Sequence, residues 1–226
     1  MHRSVDTIEL VPALADSALT LFSTRLAEGS FAIHEPEHDS LLYVVSGSGS
    51  LAVAGHGGEL REASAALVLA GESAMVTAGA EGLAFLRATA GPEADRHAPL
   101  GQRQVLVEPD AGDASQATGT RSFRVLLGPH NGSNRATLFV GYVPPGRAPW
   151  HYHLYDEVVW VPDGLARVLR RGSDEPVRAG SAFRLRPREV HIVENSSLDR
   201  DLVVFGVFTP AGSPSAAYLA PDPEGL

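Results

Sequence analysis

Short apolar runs of about four to eight residues, each stopped by glycine or proline, recur along the whole chain and leave little room for long helices. In the first half they predict strands at Val5–Leu10, Ser30–His34, Leu41–Ser46, Ser50–Ala54, Ala65–Leu69, Ala74–Thr77 and Leu83–Ala88, with GSGS (47–50) and GHGG (55–58) as breaks. A short helix or turn competes only around Ala13–Ala27, where the apolar spacing is mixed. The polar stretch Ala90–Pro99 carries two prolines and reads as a linker. The pattern then restarts at Arg103–Val107, Ser122–Leu127, Ala136–Val143, Glu157–Val161, Ala166–Arg170, Ser181–Leu185, His191–Glu194 and Leu202–Phe208. With 23 glycines and 16 prolines in 226 residues, many turns between short strands are expected, hence an all-β sandwich or barrel. The tail from Pro210 to Leu226 is expected to pack on the barrel through Tyr218 and Leu219 or to be partly mobile.

The two halves repeat one plan. Leu41-Leu-Tyr-Val-Val-Ser-Gly47 is followed by a hairpin and then Leu67-Val-Leu-Ala-Gly71. Glu157-Val-Val-Trp-Val-Pro-Asp-Gly164 is followed by a hairpin and then Phe183-Arg-Leu-Arg-Pro187. A β unit of roughly 100 residues used twice divides the chain into residues 1–92 and 93–226.

Several chemistries are excluded by residue type. There is no cysteine, which removes thiolate nucleophiles, disulfides and iron–sulfur ligation. There is no lysine, and all 18 basic residues are arginine, so Schiff-base chemistry on a lysine is excluded too. Residues 1–100 carry 13 acids and 5 arginines, and the remainder 14 acids and 13 arginines, so neither half has a basic footprint for nucleic acid. No apolar run is long enough for a membrane span, and the N-terminus lacks a signal-peptide layout, so a cytoplasmic location is expected.

The stretch His151-Tyr-His153-Leu-Tyr-Asp-Glu157 carries the chemistry. In an extended segment residues i and i+2 share a face, so His151 and His153 point the same way. A turn through Leu154-Tyr155-Asp156 can bring Glu157 toward the same centre. Neutral imidazoles with a carboxylate suit a first-row divalent metal. Tyr152 alternates away from the two histidines, and Trp160 alternates away from Glu157 toward the outside of the cavity, where the other half could cover it.

In its second half the chain resembles the cupin superfamily, small double-stranded β-helix (jelly-roll) barrels. The resemblance rests on Gly146, His151, His153, Glu157 and Gly164, and then on Gly180, His191 and Asn195 at the spacing of the second family motif. Arg186 and Arg188 stand where the family has proline and glycine, so an atypical turn before His191 is expected. The resemblance implies two tandem cupin barrels and a metal held by His151, His153, Glu157 and His191. Fe, Mn, Ni and Zn all suit such ligands. Asn195 is expected to fix a strand end. In the first half His34 takes the first ligand position, with Pro36, Ser40 and Ala74 where the other ligands belong, so that barrel is expected to hold no metal.

Four protein ligands leave coordination positions open for substrate, water or dioxygen. The expected function is therefore a metal-dependent enzyme acting on a small oxygenated molecule that chelates the metal, with oxygenase-type chemistry favoured over isomerase, lyase or decarboxylase chemistry. The alternative is a non-catalytic small-molecule binder, a sensor or carrier. Arg147, Trp150 and Tyr155 are the candidate substrate-binding residues beside the ligands. No nucleic-acid or membrane partner is expected, and the chain is expected to be a monomer or a homodimer.

Overall fold

The computed structural model describes residues 5–12, 14–109, 111–117 and 119–222. Its first sheet is built from β1 (Val5–Val11), β2 (Leu19–Leu26), β3 (Ser30–His34), β4 (Asp39–Val53), β5 (His56–Arg61), β6 (Ala65–Val68), β7 (Ser73–Ala90) and β8 (Leu106–Val107). The second half contributes β9 (Ser115–Gln116), β10 (Ser122–Leu127), β11 (Thr137–Val143), β12 (His151–His153), β13 (Asp156–Trp160), β14 (Leu165–Arg170), β15 (Ser173–Arg178), β16 (Ala182–Leu185), β17 (His191–Asn195), β18 (Leu202–Thr209) and β19 (Ala217–Leu219). These form two sheets, ordered β16-β13-β18-β11-β10-β9 and β15-β14-β17-β12-β19. The fold is all-β, as two tandem barrels, and all the strand pairings are antiparallel. Among the described residues no helix is long and apolar enough to cross a membrane.

Alternation explains how one strand serves two cores. On β4, Leu41, Tyr43 and Val45 face a hydrophobic cluster between the barrels, while Leu42 and Val44 fill the first barrel. On β13, Val158 and Trp160 face the same shared cluster, while Val159 lines the second barrel. Trp160 therefore packs outside the cavity and against the other half. Tyr43 meets Phe205 there, with ring centroids 5.1 Å apart. Fully burying a side chain of this size contributes about 1.5–3 kcal/mol. Polar groups also bridge the halves: Arg184 donates to Asp156 at 2.6 Å and to the Leu19 carbonyl at 2.8 Å.

Of the helix or turn weighed around Ala13–Ala27, a tight turn is present, with the Ser17 N–H donating to the Leu14 carbonyl at 3.0 Å, and Leu19–Leu26 is a strand between β1 and β7, with Leu19, Leu21 and Leu26 buried, while Ala13 lies outside the described residues. Two other local expectations are corrected. GSGS (47–50) does not break the chain. It bends the single strand β4 through register shifts, because Gly47 (φ +81°) lies so near β7 that a Cβ there would stand 2.2 Å from the Gly82 carbonyl oxygen. Finally, Leu106–Val107 adds to the edge of the first sheet against β6 instead of opening the second repeat.

Candidate metal centre

The three histidines come from one sheet and the glutamate from the sheet facing it. His151 and His153 lie on β12, His191 lies on β17 directly opposite His151 in register, and Glu157 lies on β13. All four are nearly excluded from solvent, between 1 and 6 % exposed. The His151 and His191 rings are 4.5 Å apart, and the His153 and His191 rings 5.0 Å apart. Together they line a cavity of about 80 Å³ whose other walls include Phe123, Phe139, Val193 and Val204. That is room for roughly two or three water molecules.

Backbone carbonyls set the tautomers. Nδ1 of His151 lies 3.0 Å from the Pro149 carbonyl, that of His153 2.7 Å from the Tyr155 carbonyl, and that of His191 2.7 Å from the Glu189 carbonyl. A carbonyl oxygen only accepts, so each Nδ1 carries the proton and each Nε2 carries a lone pair. Burial, first of all, holds the neutral form of His151 down to about pH 3, helped by the Arg121 charge and by His153. Burial followed by the other two histidines depresses His191 well below the ordinary imidazole range. Among the described residues Nε2 of His153 has no hydrogen-bond partner, and it faces the Glu157 carboxylate at 3.1 Å. Two lone-pair-bearing atoms at that distance repel unless a cation or proton lies between them. This donor set, with Nδ1 anchored behind each ring, fits a divalent metal. As the side chains stand, no three His, Cys, Asp or Glu among the described residues already enclose an ion.

Gly206 makes the cavity possible. A Cβ at this position would stand 2.3 Å from the Phe139 ring and 3.0 Å from Glu157 Oε1, so the bare backbone of β18 lets the ring and the carboxylate sit side by side.

The candidate substrate residues fall in different places. Arg147 and Trp150 do not line the cavity. Trp150 packs with Leu169 and Ile192 on the opposite face of β12, because it alternates with His151. Arg147 pairs with Glu194 at 3.2 Å over the Trp150 ring. Tyr155 does line the cavity, but through its ring, which stacks on His153 at 4.0 Å and on Phe208 at 4.1 Å. Its hydroxyl donates to the Pro214 carbonyl at 3.3 Å, tying down the tail. Burial and then the Glu157 charge push its ionisation far above the ordinary phenol value, so it stays protonated. Arg121, a residue for which the motif spacing carried no signal, does reach the site: its Nη1 lies 3.1 Å from His151 Nε2.

The surroundings are held as the sequence implied in two places and not in a third. Asn195 donates to the Val143 and Arg200 carbonyls at 2.9 and 2.8 Å and fixes the end of β17. Arg188, where the family has glycine, adopts φ +64°, and its N–H donates to the His153 carbonyl at 2.7 Å. In the first barrel, Ile33 and not His34 pairs with Ala74, so the counterpart of His151 is a buried isoleucine. His34 is exposed and contacts Ser73.

The chain matches no family model and no curated protein. Its fold does match solved structures. A point mutant of Bacillus subtilis oxalate decarboxylase OxdC superposes with a TM-score of 0.71 at 16% identity, over 97% of this chain and 76% of that one. AerE from Microcystis aeruginosa gives 0.71 at 14% identity, over 92% and 98% of the two chains. A Pseudomonas aeruginosa protein described as a putative glyoxylate-induced protein gives 0.74 at 13% identity, over 93% and 81%. These are cupin-fold proteins, and the likeness shows that this chain has the cupin fold.

Proposed function

We propose that the second barrel binds one divalent metal ion through His151, His153, Glu157 and His191, and that the chain is a metal-dependent enzyme acting on a small oxygenated molecule that chelates the ion. The observation that carries this reading is the inward lone pair of His153, buried without a hydrogen-bond partner and 3.1 Å from a carboxylate. A buried polar atom in that state costs free energy unless something binds it. A divalent ion such as Fe, Mn, Ni or Zn supplies Lewis acidity toward a chelating oxygen, or a site for dioxygen.

The chain's own residues do the rest. The carbonyls of Pro149, Tyr155 and Glu189 hold the three rings in one orientation. Phe123, Phe139, Val193 and Val204 shed water and strengthen every electrostatic interaction inside. Tyr155 acts as a positioning residue: it wedges His153 against Phe208 and anchors the tail that closes this end of the cavity, where Pro214 and Ala217 form part of the wall. The volume favours substrates of few heavy atoms. The first barrel, with Ile33, Ser40 and Ala74 inside, is a partner without a metal.

Two chemistries are separated by one assay. Oxygenase chemistry consumes dioxygen; lyase-type cleavage releases carbon dioxide without it, and the oxalate decarboxylases among the structural neighbours make the second worth measuring. Metal-loaded protein is given a panel of catechols, diketones, hydroxy acids and short dicarboxylates, with both gases monitored. Metal-dependent turnover of one panel member is the expected result. Tight binding of one ligand, recovered unaltered with no turnover of any, would make the protein a sensor or carrier.

A further inference from the structure

We propose that Arg121 competes with the metal for His151 and that a small carboxylate draws it away, so that metal and anion each promote the binding of the other. The inference rests on the metal reading above. Arg121 immediately precedes β10, on the wall of the cavity. Its Nη1 lies 3.1 Å from His151 Nε2, the nitrogen left with a lone pair because Nδ1 faces the Pro149 carbonyl at 3.0 Å. That single lone pair accepts an N–H or binds a metal, never both. The guanidinium therefore stands on one of the four proposed ligands.

Charge decides what must follow. Among the described residues the formally charged side chains lining the cavity are Arg121 and Glu157; burial works against the Arg121 charge, and the nearby Glu157 carboxylate favours it. A divalent ion adds two positive charges beside the guanidinium, inside apolar walls where such repulsion is poorly screened. An anion offsets both at once, accepting from the planar fork of Arg121 and presenting an oxygen to an open position on the metal. A cavity of about 80 Å³ favours a carboxylate of few heavy atoms. Arg147, the other arginine near the motif, lies outside the cavity wall and pairs with Glu194. Metal and carboxylate should therefore show positive coupling, which thermodynamics makes reciprocal.

The test is calorimetric titration of Mn(II) into the metal-free full chain, in acetate or in chloride at matched ionic strength, for the wild type and Arg121→Gln. In chloride, Arg121→Gln should bind Mn(II) about tenfold tighter, the scale of one hydrogen bond to a charged group. Acetate should tighten Mn(II) on the wild type by roughly fivefold, within the usual range of coupling between sites, and leave the variant nearly unchanged. On the wild type alone, benzoate, too bulky for the cavity, should show no coupling. This arm decides the matter if the variant fails to fold. Equal Mn(II) affinities in the two proteins, acetate coupling that survives Arg121→Gln, or equal coupling by acetate and benzoate would overturn the proposal while leaving the metal centre standing. If neither protein takes up Mn(II), the metal reading falls and this one with it.

Discussion

The two barrels use the same strand plan and fill it with opposite chemistry. Ile33 lies across from Ala74 in the first barrel as His151 lies across from His191 in the second. Ser40 leads into Leu42 and Val44 as Glu157 leads into Val159. Where the first barrel closes on mainly apolar side chains, the second keeps three histidines and a glutamate on the wall of a cavity. The shared face, Leu41 and Tyr43 on one side and Val158 and Phe205 on the other, is apolar in both. What separates the inner faces of the two barrels is thus a handful of inward positions.

The largest expected effect tests whether the barrels stand as one unit. Phe205 is 1 % exposed at the shared face, and Phe205→Ala should cost about 3–5 kcal/mol. Denaturant unfolding followed by fluorescence and by circular dichroism should show both barrels failing together. Two separated transitions, with only one shifted, would mean that the barrels are energetically independent.

Acid should destabilise the chain through the second barrel. His151 is pulled down to about 3 and His191 well below the ordinary value, so between those values and about 6.5 the unfolded chain binds protons that the folded chain refuses. Stability of the metal-free protein is then full above about pH 6.5 and falls as the pH drops, by about 1.4 kcal/mol per pH unit for each of these histidines. Thermal melts from pH 7 to 4.5 should show this slope, and His191→Leu should flatten it. A slope unchanged by that substitution would place the acid-sensitive groups elsewhere.

The smallest effect is in the first barrel. Ser40 is fully buried and its Oγ has no partner. Ser40→Ala should therefore be neutral or stabilising by up to about 1 kcal/mol, since it removes an unsatisfied hydroxyl. A loss of stability in chemical denaturation would show that the hydroxyl is bonded after all.

Much of this arrangement is legible from residue order, where period and spacing act locally. Alternation along β12 and β13 places His151, His153 and Glu157 inward and Trp160 outward. The same rule, applied one residue earlier, puts Trp150 behind the site. His34 misleads because a one-residue offset in register flips a side chain to the other face, and nothing local to Ser30–His34 sets that register. GSGS resembles a turn in sequence, whereas here its glycines let β4 pass close to β7. Arg121 is invisible to motif reading: it sits 30 residues before its partner His151, just ahead of β10, and the only trace it leaves is the arginine bias of the second half. The short strand β19, which pairs the tail with β12, is likewise set by tertiary contact and not by its own pattern.

The central claim is that one barrel binds metal and the other does not. Elemental analysis of the purified full chain, metal-loaded and then desalted, tests it most directly, comparing wild type, His153→Ala and the double variant His34→Ala/Ser40→Ala. One divalent ion per chain is expected in the wild type and in the first-barrel variant, and none in His153→Ala. Full metal content in His153→Ala, or its loss in the first-barrel variant, would contradict it.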